Sequence, residues 1–248
     1  MISFKQYITE AGGSAERQET SFVNSINLAV QMNDNKPIVL VSKKEKVSGV
    51  VKAEKYHGRQ ASGSEPYTDV QLFTGRGVLN LSMKGESAPS LAGGGLRGIE
   101  NILPGLGARF FRAVYDHHVK TNKLKLGDKV PDVYGKLNKK DKDFLVIGNV
   151  PIGGPIDYMY IGPMDVKTNF KNGKLDVNGS LIKAQDFSDT HELYFRLRAR
   201  RIDQTFDPSA VDSQNNPKIY GKSPSRGDSA GRLVITDKVP SRAQIIVF

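Results

Sequence analysis

The chain has 248 residues, no cysteine, no tryptophan and four histidines, His57, His117, His118 and His191. A disulfide scaffold, a thiolate zinc centre and a cysteine nucleophile are excluded, and no two histidines stand at the usual ligand spacing. Lys and Arg total 36 against 26 acidic residues, a net charge of +10 with a pI near 9.6, which favours a polyanionic partner.

The first ten residues, MISFKQYITE, read as a short amphipathic leader with Phe4, Tyr7 and Ile8 on one face, followed by the small-residue stretch AGGSA. No apolar run is long enough for a transmembrane helix or a secretory signal. A second helix is expected from about Arg17 to Met32, with Glu19, Phe22, Val23, Ile26 and Val30 on one face and Pro37 as the breaker beyond it. PIVLVS and SGVVKAEKY read as strands. YTDVQL and VLNLSMK alternate with period two and flank FTGRG, which predicts a hairpin.

Further along, SAPSLAGGGLRG reads as a loop and ARFFRAVYDHHVK as a helix, with Phe110, Phe111, Val114 and His118 on its apolar side. Residues 120–142 carry eight Lys against three Asp and read as an exposed basic segment. DFLVIG and IDYMYIG have the composition of buried strands. Lys171-Asn172-Gly173 marks a hairpin between MDVKTNF and KLDVNGSLI. HELYFRLRARRI reads as a strand, residues 204–230 as a long loop, and RLVITD and AQIIVF as closing strands. Helices come early and strands later, so the expected class is α+β, with a mixed sheet, flanking helices and a strand-rich C-terminal half. The expected organisation is a leader over 1–14 and one domain over 15–248.

The hairpin carries the most chemical information. Its apolar rows must share a face, because a one-residue slip would bury the polar row. Pairing Leu72 with Leu79 satisfies this and leaves a short turn at Gly75-Arg76. That register sets Asp69 opposite Ser82, with Lys84 on the diagonal, at β-carbon separations of roughly 5–8 Å. A carboxylate, a hydroxyl and an ammonium then share one patch. An ordinary wet sheet face with a cross-strand ion pair is the plain alternative. Glu19 lies on an otherwise apolar helix face, where a carboxylate needs a partner; a metal ion shared with Asp69 would supply one, and a helix N-terminal charge is the plain alternative.

A helix bearing Glu, then a hairpin with Asp on one strand and x-x-Lys on the next, resembles the core of the PD-(D/E)xK, restriction-endonuclease-like nuclease superfamily. The matching residues are Glu19 in RQETSFVNSIN, Asp69 in EPYTDVQL and Lys84 in LNLSMKGE. LSMKGESAPSLAGGG is similar to the strand and glycine-rich loop of tailed-phage members. Ser82 stands where the motif has Asp or Glu, with Glu19, Glu86 or Glu54 as replacements for that acid. The resemblance implies Mg²⁺ (or Mn²⁺) held by Asp69 and Glu19, and DNA phosphodiester hydrolysis with Lys84 acting on the attacking water or the developing charge. Gln71 and Ser82 would assist by hydrogen bonding. FKQYITEAGG resembles leaders of head-associated phage proteins, cleaved after Ile8-Thr9-Glu10. It implies other phage head or virion proteins as partners, and the host cytoplasm or the virion as location, with no membrane.

The alternative function is a virion structural or DNA-binding protein with a degenerate, non-catalytic nuclease fold; an RNA-binding module is a third reading. Arg196, Arg198 and Arg200 alternate on one strand face with Arg201 adjacent, a row suited to a phosphate backbone or simply to solvent. Asp116-His117-His118 is not expected to form a site, since adjacent helical residues diverge.

Overall fold

The structure is a computed structural model describing residues 14–57, 67–86, 99–100, 102–198, 206–209, 211 and 232–248. The expected leader and its cleavage point, the glycine-rich loop, Arg200 and Arg201, and most of the 204–230 loop lie outside the described residues. The chain forms α1 (Ser14–Met32), β1 (Ile38–Val41), β2 (Lys46–Lys55), β3 (Val70–Thr74) and β4 (Gly77–Gly85). Then come α2 (Leu106–Asp116), β5 (Val133–Lys136), α3 (Lys139–Ile147) and β6 (Tyr158–Gly162). The remainder is β7 (Thr168–Lys171), β8 (Lys174–Val177), β9 (Ser180–Lys183), α4 (Ala184–Thr190), β10 (Tyr194–Arg198), β11 (Arg232–Thr236) and β12 (Gln244–Ile246). The class is α+β with mixed sheets and a strand-rich C-terminal half.

Two compact units emerge where the sequence offers no boundary. One holds α1, β1–β4, β6–β9 and α4; the other holds α2, β5 and β10–β12. The chain passes from the first to the second and back, so each unit is discontinuous in sequence.

In the first unit eight strands run in the order β7-β8-β1-β2-β3-β4-β6-β9. The β1–β8 and β4–β6 pairs are parallel and the others antiparallel. The β3–β4 hairpin has Leu72 opposite Leu79 and Val70 opposite Leu81, with Gly75 and Arg76 as the turn. Thr74 fixes that turn, its hydroxyl accepting from the Arg76 N–H and donating to the Gly77 carbonyl. Asn172 and Gly173 join β7 to β8 with φ of 51° and 71°, the left-handed pair that a two-residue hairpin turn requires.

Helix α1 covers the apolar row of this sheet. Phe22, Ile26, Ala29 and Val30 pack into a core with Val50, Ala53, Val70, Leu72, Leu81 and Tyr160, and the Phe22 and Tyr160 rings lie 4.9 Å apart. Burial of these side chains is the main stabilising term, at about 25 cal/mol per Å² of apolar surface. Phe22, Ile26 and Val30 line the buried face as expected and Val23 packs against it; at its head Gln18 is buried and Glu19 sits at the margin.

Pairing of β1 with β2 reaches only Val50. Beyond it the Ala53 N–H and carbonyl would stand unpaired, a costly state inside a core. Asn27 takes both, its amide accepting at 2.9 Å and donating at 2.9 Å. The helix therefore completes the β2 ladder with a side chain.

The second unit contains a four-stranded sheet ordered β11-β10-β5-β12. Two sequence expectations change here. The basic segment is not wholly exposed: it contains β5, with Val130, Val133, Tyr134 and Leu137 buried, because four apolar side chains spaced among the lysines suffice for a short inner strand. DFLVIG is helical, within α3; a short apolar run fits a buried helix as well as a strand.

Helix α2 continues as a π-helical turn over His117–Thr121. His118 on this turn is fully buried, its ring edge-on to Phe206 with centroids 5.9 Å apart. Its Nε2 has no hydrogen-bond partner among the described residues, and burial, with His117 adding repulsion, lowers its pKa from 6.5 to about 4. The unfolded chain then takes up a proton at this residue before the folded one does. Stability contributed by keeping His118 neutral is complete above pH 6.5 and declines as pH falls toward 4. His118→Leu should remove about 2–3 kcal/mol of the loss in unfolding free energy between pH 7 and pH 4.5. Urea unfolding of both proteins at the two pH values checks this; parallel losses would contradict it.

Candidate functional site

Four of the expected residues, Glu19, Asp69, Ser82 and Lys84, lie at one end of the eight-stranded sheet. That end is formed by the C-termini of β2, β4 and β6 and by the residue that leads into β3. Asp69 is that residue. Its backbone is pinned on both sides, the N–H donating to the Leu81 carbonyl at 2.9 Å and the carbonyl accepting from the Tyr56 N–H at 3.0 Å. One residue earlier, the Thr68 hydroxyl donates to the Gly153 carbonyl. The carboxylate thus projects from a fixed stretch of chain, which keeps a reacting group within a narrow range of positions.

Three donors converge on Asp69 Oδ2. The Met83 N–H donates at 2.6 Å, the Ser82 hydroxyl donates at 3.2 Å, and Lys84 Nζ forms an ion pair at 3.7 Å. Among the described residues Oδ1 has no hydrogen-bond partner. Ser82 is buried, while Asp69 and Lys84 side chains keep roughly a fifth of their surface exposed. The alternation of strand β4 thus brings its hydroxyl and ammonium to the carboxylate, as the register requires.

Glu19 approaches from α1, two helical turns before Ile26. It forms no bond to Asp69, yet the two carboxylates feel each other. Burial first, and the Asp69 charge second, raise the Glu19 carboxyl above its ordinary value of 4.5, while Lys55 pulls it back. Lys55 Nζ lies 3.6 Å from Glu19 Oε2 and 3.8 Å from Glu16 Oε1.

Gln18 sets the helix at this end. Its side-chain amide is buried and donates to the carbonyls of Gly162 at 2.9 Å, Pro163 at 3.1 Å and Lys84 at 3.4 Å. These carbonyls lie at the C-terminal ends of β4 and β6. Sequence reading misses Gln18 and Lys55. Gln18 carries a readable signal, an amide at the head of an i, i+4 apolar row, whereas Lys55 looks like any strand-end lysine.

The other candidates stand apart. Glu54 pairs with Lys52, and Glu86 is exposed and acts on Tyr160, whose phenol is raised chiefly by burial. Gln71 donates to Asn80 Oδ1 at 2.9 Å, one pair further along the hairpin. Arg196 belongs to the second unit. There its Nη2 and Nε donate to Asp132 Oδ2 at 2.5 and 2.9 Å, and its guanidinium lies 5.7 Å from the Tyr134 ring centre. The backbone of Arg198 lies in β10, and its side chain is outside the described residues along with Arg200 and Arg201. His117 Nε2 donates to Gln244 Oε1 at 3.1 Å, consistent with a structural role for the Asp116-His117-His118 run.

Among the described residues no three carboxylate or imidazole groups cluster for a metal ion, and no helix is long and apolar enough to cross a membrane. The site does offer two carboxylates, a hydroxyl and the open oxygen of Asp69. No protein-family model, curated protein or solved structure matches the chain.

Gln18→Leu should lower unfolding free energy by about 2–3 kcal/mol, since buried carbonyls lose their donor. Gln18→Glu should cost more, by facing carbonyl oxygens with an acid. A urea midpoint unchanged in Gln18→Leu would contradict the anchoring role.

Proposed function

We propose that the chain is a Mg²⁺-dependent deoxyribonuclease whose site is Asp69, Glu19, Lys84 and Ser82. The observation that carries this reading is the convergence of a carboxylate, a hydroxyl and an ammonium at Asp69 Oδ2, with a second carboxylate in electrostatic reach. The arrangement follows the order of the resemblance noted above: a helix with Glu, a strand with Asp and a strand with x-x-Lys. The net charge of +10 supports a polyanionic substrate.

Mg²⁺ is commonly held by one or two carboxylates, keeping waters and substrate oxygens as its remaining ligands. Asp69 through its open oxygen and Glu19 supply that number, and their mutual repulsion is what a cation relieves. When bound, the ion acidifies a water and offsets charge on the phosphoryl group. Lys84 orients the attacking water and meets the developing negative charge. Water oxygen bonds to phosphorus, a P–O ester bond breaks, and the leaving oxygen takes a proton. Ser82 steadies Asp69 through its hydroxyl.

Ser82 in the acid position favours a second reading, a DNA-binding or virion protein that keeps the site without hydrolysis. Plasmid DNA with Mg²⁺, or with EDTA, separates the two. The wild type should nick or cut the plasmid only with the metal. Asp69→Asn should abolish cleavage, because an amide is a much weaker ligand for a hard cation. Lys84→Ala should lower the rate about 10²–10³-fold with DNA binding retained. Ser82→Asp should maintain or raise activity. Binding without cleavage by the wild type, with every divalent metal, would leave the second reading standing.

A further inference from the structure

Each carboxylate at the sheet end already has its own ammonium. Lys84 is matched to Asp69 at 3.7 Å and Lys55 to Glu19 at 3.6 Å. A dication entering between Asp69 and Glu19 would meet both positive charges at close range, where repulsion is strong. One ammonium must give way, and the two are not equally placed to do so. Lys84 has a single carboxylate within ion-pair distance among the described residues. Lys55 has two, Glu19 and Glu16, and also donates to the Glu16 carbonyl at 3.4 Å.

The two carboxylates facing Lys55 differ in exposure. Glu19 is 23% exposed and Glu16 is 57%. Lys55 ends β2, opposite Val70 and next to the strand entry that carries Asp69. Its ammonium is a compact charge on a flexible four-carbon stem. Already within ion-pair distance of Glu16, it can leave Glu19 without losing every carboxylate partner, which frees the more buried of the two.

We propose that Lys55 is a movable counter-ion of this site, shared between Glu19 and Glu16, and that it shifts to Glu16 alone when a divalent cation binds. The inference rests on the metal-site reading above. Lys55 is thus a positioning residue that sets metal affinity, with Glu16 as its second station. The pair keeps Glu19 neutralised and ordered without metal, at the expense of weaker cation binding.

The test uses the full chain without DNA and Mn²⁺ as the probe, with free ion measured by electron paramagnetic resonance. Lys55→Met, which keeps the unbranched stem, should tighten Mn²⁺ binding about tenfold. Glu16→Gln should weaken it about threefold, because the displaced ammonium loses its second carboxylate. Unchanged or weaker binding in Lys55→Met, with wild type binding Mn²⁺, overturns the counter-ion role alone. If Lys55→Met does not fold, unchanged or tighter binding in the exposed-site variant Glu16→Gln overturns it. Failure of wild type and both variants to bind Mn²⁺ overturns the metal site and the counter-ion together.

Discussion

The buried amide of Gln18 is the contact on which the geometry of the site depends. Strands β4 and β6 end side by side, and the carbonyls of Lys84, Gly162 and Pro163 there face α1. A single side chain of α1 supplies the donors. Asn27 does the equivalent work two turns later on the open edge of β2. Together the two amides fix both the position and the rotation of the helix against the sheet. Glu16 and Glu19 flank Gln18 in sequence, so fixing Gln18 also fixes where these acids stand. Apolar packing by Phe22 and Ile26 supplies most of the energy, but apolar contact alone tolerates sliding; the directional bonds do not.

From that constraint the electrostatics follow. A helix carrying two acids is brought to strand ends that carry Asp69, Lys84 and Lys55. The result is three carboxylates and two ammoniums, Lys84 paired with Asp69 and Lys55 with both Glu19 and Glu16. Such pairs are weak stabilisers when partly exposed, so stability is a poor reason for the arrangement. A group of mutually compensating charges beside a carboxylate oxygen that has no hydrogen-bond partner among the described residues suits a site that exchanges one cation for another.

The β3–β4 hairpin was legible in the sequence because period-two alternation leaves one register that buries Val70, Leu72, Leu81 and Met83 together. Asp69, Ser82 and Lys84 followed from that register with no further information. The helix was legible in extent and in its buried face through Phe22, Ile26 and Val30, but not at its head, since Gln18 counts as polar in any hydropathy pattern and is buried only because distant carbonyls need it. Lys55 was illegible for a related reason: its partners come from a helix 36–39 positions away. The run DFLVIG and the strand β5 failed for opposite causes, the one because a six-residue apolar run does not reveal its period, the other because flanking lysines mask it.

The central claim is that Asp69 and Glu19 form one cation site at the end of the sheet. Anomalous diffraction from crystals of the protein soaked in Mn²⁺ tests it directly. One peak is expected within coordinating distance of Asp69 Oδ1 and a Glu19 carboxylate oxygen, with Lys55 turned toward Glu16. Ordered Asp69 and Glu19 side chains with no peak between them, at Mn²⁺ concentrations that occupy other sites, would contradict it.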